Sequence, residues 1–108
     1  MNWINLDSEE QLNDLKNKQG NSVIFKHSTR CSISMMAKKR LDMDGDIVPE
    51  NLSCYYLDLL NYRSISNQIA DLFQVHHESP QLLLIQNGEC ILDQSHGEIN
   101  LEEVVEMI

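Results

Sequence analysis

The chain reads as a single α/β domain over residues 1–108, a mixed β-sheet with helices on both faces. Three observations predict it. Short apolar runs, Val23-Ile24-Phe25 and Leu82-Leu83-Leu84-Ile85, have the length and composition of buried strands. Stretches with apolar residues at three- and four-residue spacing alternate with them, as helices lying on a sheet do. Asn87-Gly88, between two strand-like runs, marks an antiparallel hairpin, so the sheet is not wholly parallel. A chain of 108 residues is long enough for one core and too short for two.

Asn2 to Leu6 alternates weakly and suits a short edge strand. Ser8 with Gln11 three residues on forms a capping-box pattern, and Glu9 and Glu10 fall in the positive first turn of the helix it opens. Leu12 and Leu15 supply that helix's buried side, and Gly20 is its expected C-cap. Ser22 to Lys26 follows as a central strand. Ser32 to about Leu41 is helical by propensity, with Ile33, Met36, Ala37 and Leu41 assigned to its buried side.

Asp42, Asp44 and Asp46 suggest a calcium loop, but its glycine falls at the fourth position instead of the sixth, and the twelfth residue is Ser53. The segment is read as an acidic turn. Leu52 to Leu60 is strand-like, and Arg63 to Phe73 carries Ile65, Ile69, Leu72 and Phe73 at helical spacing. A polar loop from Gln74 to Ser79 leads through Pro80 into a strand from Gln81 to Gln86. Glu89 to Asp93 is the returning strand of the hairpin. Asn100 then caps a final helix with Leu101, Val104, Val105 and Ile108 facing inward.

Eight Lys and Arg against 17 Asp and Glu give a formal charge of −9 and a pI near 4.6. That balance argues against nucleic acid and anionic membrane as partners, which call for clustered basic residues. The one basic cluster, Lys38-Lys39-Arg40, is read as complementing the negative end of a helix. No apolar run approaches the roughly 18 residues needed to span a bilayer, and no leader-type segment opens the sequence. A cytoplasmic location is therefore expected. Three cysteines at long spacing, Cys31, Cys54 and Cys90, suit reduced thiols better than a disulfide framework.

Cys31 stands where a strand ends and a helix begins. Thiol-disulfide exchange requires a thiolate, and a free cysteine with a pKa of about 8.5 is mostly protonated at neutral pH. A helix N-terminus offers unpaired N–H groups and a partial positive charge, and Arg30 adds a full charge if it turns toward the sulfur. The thiolate is therefore expected to be favoured at Cys31 over Cys54 and Cys90. In Cys-x-x-Cys proteins a second thiol one helical turn on expels the mixed disulfide; here that place is held by Ser34. Monothiol chemistry follows, with Ser34 as a candidate hydrogen-bond donor to the sulfur.

The element order resembles the thioredoxin fold, as do the cysteine at a helix start after a central strand and Ser79-Pro80-Gln81 leading into the Leu-rich strand and hairpin. More narrowly, His27-Ser28-Thr29, Ile33-Ser34, His77-Glu78-Ser79-Pro80-Gln81 and Ser95-His96 resemble the monothiol bacilliredoxins, the bacillithiol-system YtxJ-like family. One residue departs from the pattern: Ser32 stands where that family commonly has proline. Both residues suit the first turn of a helix.

The resemblance implies a monothiol thiol-disulfide oxidoreductase that removes bacillithiol, or a similar small thiol, from protein mixed disulfides through Cys31. No tightly bound cofactor is implied; bacillithiol is the co-substrate and S-thiolated proteins are the partners. Adjacent His76 and His77 with no Cys-x-x-Cys give poor zinc-ligand spacing, so no metal is expected. The resemblance further implies a cis Ser79-Pro80 bond against the active cysteine, with the Ser79 backbone pairing with substrate. Ser28 and Thr29 are read as either the helix N-cap or substrate contacts, and Ser32 is placed with them at the site. His27 and His96 are candidates to bind a substrate carboxylate or to lie at the site mouth. Cys54 and Cys90 are read as packing residues, with resolution of Cys31 as the alternative. A thioredoxin-fold interaction module without redox catalysis is the competing function, and an enzyme using glutathione or coenzyme A a third. The sequence leaves the oligomeric state open.

Overall fold

A computed structural model describes all residues from Met1 to Ile108. The elements run β1 (Trp3–Asn5), α1 (Glu9–Asn17), β2 (Asn21–His27), α2 (Ser32–Met43), a 3-10 turn (Gly45–Ile47), β3 (Ser53–Asp58), α3 (Arg63–Phe73), β4 (Gln81–Gln86), β5 (Glu89–Ser95), a second 3-10 turn (His96–Glu98) and α4 (Leu101–Glu106). The five strands form one sheet in the order β1-β3-β2-β4-β5. β1, β3 and β2 are parallel, whereas β4 runs antiparallel to β2 and β5 to β4. The mixed sheet expected from the sequence is therefore present, with β2 at its centre.

Alternation along β2 and β4 divides the core. Val23, Phe25, Leu82 and Leu84 face Ala37 and Leu41 of α2 and Leu101 and Val104 of α4. Ile24, Leu83 and Ile85 face the other way, against Leu12 and Leu15 of α1 and Ile65, Ile69 and Phe73 of α3. Each fully buried Leu, Ile or Phe contributes about 2–3 kcal/mol of transfer free energy, so both helical layers are held by the central strands.

Local chemistry fixes the ends of several elements. Ser8 and Gln11 make the reciprocal capping box at α1. Asn100 caps α4, its side chain accepting from the Glu103 N–H. At the hairpin, Asn87 and Gly88 both have positive φ, 51° and 82°. Gly88 also lies so close to the Lys16 carbonyl that a Cβ would collide with it.

Four sequence expectations are corrected here. Lys18 in extended conformation, not Gly20, ends α1; Gly20 lies in the following turn with φ 94°. The final helix stops at Glu106, which leaves Ile108 exposed and outside it. α2 continues to Met43, so only Arg40 of the basic cluster falls in its last turn. Its buried side is Ser34, Ala37 and Leu41, while Ile33 and Met36 are 54% and 64% exposed. Ser34 lies about 200° from Ser32 around the helix at 100° per residue, close to Leu41 and opposite Met36.

Candidate active site

Strand register brings the candidate residues to one end of the sheet. His27 pairs with Asp58, Lys26 with Gln81, and Gln81 with Ser95. The end of β2, the start of β4 and the end of β5 thus lie side by side. Cys31 follows the first by four residues, Pro80 precedes the second directly, and His96 follows the third.

The loop between β2 and α2 is a tight turn. The Cys31 N–H donates to the Ser28 carbonyl at 3.2 Å, with Thr29 and Arg30 exposed at its tip. Cys31 itself is the N-cap of α2: its backbone is extended, φ −103° and ψ 121°, and its carbonyl accepts the Met35 N–H at 3.0 Å. This corrects the assignment of the cap to Ser28 or Thr29. Neither the Cys31 sulfur nor any other side chain bonds the first-turn N–H groups of Ser32, Ile33 and Ser34, which stay open at this end of the helix. Cys31 is partly accessible and is not in a disulfide.

The other two thiols lie in different settings. Cys54 is buried in β3, and burial pushes its thiol up to about 11. Cys90 is partly buried on β5; burial, then the Asp93 charge, push it likewise to about 11. At neutral pH both are held as protonated thiols.

Ser34 is fully buried one turn into α2. Its Oγ accepts the Ser28 N–H at 3.0 Å and lies 2.7 Å from His27 Nδ1. The expected donation to the Cys31 sulfur is not among its bonds: the hydroxyl ties the turn to the strand beneath it. His27, expected at the mouth, is also buried. Its ring stacks on Phe25 with centroids 5.5 Å apart and sits 5.5 Å from the Tyr56 ring. Burial, aided by the Lys38 charge, holds His27 below the usual imidazole range. At neutral pH it is the uncharged ring, placed to support Ser34 rather than to meet a substrate carboxylate.

Across the site, the Ser79-Pro80 bond is cis, as the resemblance implied. The Ser79 N–H and C=O have no backbone partner, while the Pro80 carbonyl accepts the His96 N–H at 3.0 Å. His96 is half-exposed with φ 54°, and its Nε2 stands 3.8 Å from Glu78, which His76 approaches from the other side at 3.8 Å. The 3-10 turn that His96 opens packs against α2, so the proline loop and the cysteine helix are joined through it. Ser32 is exposed as the first residue of α2.

Sequence reasoning missed a polar cluster on the other face of the sheet, beneath the proline loop. Lys26 is fully buried, and its Nζ lies 3.3 Å from His77 Nδ1, which also lies 3.4 Å from the Ser66 hydroxyl. Burial lowers the Lys26 ammonium to about 8. His77 is lowered too, first by burial and then by the Lys26 charge. Gln81, the cross-strand neighbour of Lys26, donates to the His76 carbonyl at 3.0 Å. The cluster anchors both histidines that precede Ser79-Pro80. A lysine directly after Val23-Ile24-Phe25 was the available signal.

Residues 4–104 match the sequence model of a family described as monothiol bacilliredoxin BrxC. Among solved structures, the chain is similar to a thioredoxin-fold protein assigned as an oxidoreductase, at 30% identity and a TM-score of 0.81. The match covers 96% of this chain and 91% of the other. It is also similar to a thioredoxin of Malassezia sympodialis, at 16% identity and TM-score 0.77, covering 95% of this chain and 87% of that one. Thioredoxin f2 of Chlamydomonas reinhardtii matches at 13% identity and TM-score 0.71, covering 98% and 93% of the two chains. The last two similarities establish the fold alone, which is thioredoxin-like.

Proposed function

The chain belongs to the monothiol bacilliredoxin family, and from that premise we propose that it removes bacillithiol from protein mixed disulfides by one-thiol exchange at Cys31. A thiol oxidoreductase role is what the family and fold support; the small thiol and the direction of transfer are the proposal. The observation that carries it is the contrast among the three thiols. Cys31 caps α2 with no competing side chain, while Cys54 and Cys90 are both pushed up to about 11.

In the proposed reaction the Cys31 thiolate attacks the bacillithiol sulfur of a target mixed disulfide. The bond between that sulfur and the target cysteine breaks, a Cys31-bacillithiol disulfide forms, and the target leaves as a thiolate that takes up a proton. A second bacillithiol, as thiolate, attacks the same sulfur, releasing bacillithiol disulfide and restoring the Cys31 thiolate. The open first-turn N–H groups of α2 offer each anion at this position a partial positive charge, to which Arg30 adds if it turns toward the sulfur. The open Ser79 N–H and C=O serve a substrate segment as an added strand, with Ser28, Thr29, Ser32 and His96 around it. Ser34 and His27 hold the turn.

Intact-mass spectrometry of the reduced protein mixed with a bacillithiolated target tests this, run beside Cys31→Ser. Wild type is expected to gain one bacillithiol at Cys31 and the variant none. If the folded wild type gains none, the reading fails for this thiol, and the docking-module alternative takes its place.

A further inference from the structure

The basic residues of this acidic chain are not scattered. Residues 28–41, from the active-site turn through most of α2, carry Arg30, Lys38, Lys39 and Arg40 and no acid, a charge of +4. The rest of the chain carries −13. Lys38 is committed, bonding Asp42 at 2.8 Å and lying over the Tyr56 ring. Lys39 and Arg40 are exposed and enter no ion pair. Among them, α2 exposes Ile33, Met35, Met36 and Met43 at 54%, 56%, 64% and 73%. At about 1.5 Å per residue, the two central methionines lie about 6–8 Å along the helix from Cys31, and Lys39 and Arg40 about 12–14 Å.

We propose that this outer face of α2 is the surface on which target proteins dock, and that it selects targets whose thiolated cysteine lies beside an acidic and apolar patch. The proposal rests on the redox reading of Cys31 and names its substrate class. It reverses what the net charge alone suggests, which is a preference for basic targets.

Charge complementarity selects the occupant. A second copy meeting this face through a two-fold axis sets Lys39 and Arg40 against themselves. Nucleic acid or an anionic bilayer extends past the helix, where the −13 remainder of the molecule repels it. A protein patch of helix size meets Arg30, Lys39 and Arg40, whereas Asp42, the one acid within α2, is already bound by Lys38 and the Trp3 indole N–H. Methionine side chains, flexible and polarizable, suit contact with many different targets.

The test separates docking from chemistry. Methyl resonances of Met35, Met36 and Met43 are followed in Cys31→Ser while an Asp/Leu-rich peptide without cysteine is added. Saturable shifts at these methyls, lost in 1 M salt and lost in Lys39→Glu/Arg40→Glu, are expected. No shift there, equal shifts with a single-stranded oligonucleotide or phosphatidylglycerol vesicles, or shifts that depend on protein concentration alone each overturn the proposal. Separately, bacillithiolated peptides with acidic, neutral and basic flanks are compared for transfer to wild type. At low salt the acidic one is expected to react about tenfold faster than the basic one. Lys39→Glu/Arg40→Glu should invert the order. Equal rates for all three overturn the docking proposal alone. Failure of all three to transfer, with the methyl shifts intact, overturns the redox reading and leaves docking standing.

Discussion

Replacing Lys26 with methionine should change how stability depends on pH. The ammonium is fully buried, and burial lowers its pKa from 10.5 to about 8. Below pH 8 both folded and unfolded chains carry the proton, and the folded state bears the whole cost of the buried charge, about 3 kcal/mol at about 1.4 kcal/mol per unit. Between pH 8 and 10.5 the unfolded chain keeps a proton that the folded chain has released, so the unfolded state binds more protons and stability rises with pH. From pH 7 to 9 this amounts to about 1 kcal/mol. Cys54 and Cys90 oppose it, because their folded thiols, at about 11 against 9.0, keep protons that the unfolded chain loses. The difference between wild type and Lys26→Met cancels the thiols. Urea unfolding followed by circular dichroism at pH 7, 8 and 9 should show wild type gaining about 1 kcal/mol on the variant over that range. Parallel curves would refute the claim that the ammonium is held charged in an unfavourable site at neutral pH.

Three further outcomes follow from the packing. Ser34→Ala leaves the Ser28 N–H and His27 Nδ1 without their partner and should cost about 1–3 kcal/mol by urea unfolding; a loss under about 0.5 kcal/mol would mean the hydroxyl does not hold the turn. Gly88→Ala combines a positive φ with collision against the Lys16 carbonyl, so it should destabilise by more than about 1 kcal/mol, and an unchanged melting temperature would contradict the hairpin geometry. At pH 7, iodoacetamide should label Cys31 well before Cys54 or Cys90, read by peptide mass mapping; labelling of either strand cysteine at a comparable rate in folded protein would contradict their protonated state.

Where local chemistry decides the structure, the sequence was readable. The capping box at Ser8 and Gln11, the Asn100 cap and the Asn87-Gly88 hairpin all depend on residues within a few positions of one another, and all are present. The place of Cys31 between a strand and a helix was legible for the same reason. The outer face of α2 was not. Ile33 and Met36 are apolar and were assigned inward, but the helix turns Ser34 inward, where its hydroxyl accepts the Ser28 N–H and pairs with His27 Nδ1. Hydrophobicity alone does not reveal that a serine has buried partners waiting. His27 was misplaced on the same ground: β2 runs through residue 27, and its alternation carries the ring to the Phe25 side. Lys26 and His77 meet across 51 positions, and only the pairing of β2 with β4 brings them together.

The central claim is that Cys31 works alone. It is tested most directly by the fate of the thiolated protein: wild type carrying one bacillithiol at Cys31, freed of excess thiol, then digested and mapped for disulfides over time. The adduct is expected to stay on Cys31 until free bacillithiol is added, and Cys54 and Cys90 to remain reduced throughout. Loss of the adduct without added thiol, with a new bond from Cys31 to Cys54 or Cys90, would contradict it and make the protein a two-thiol enzyme.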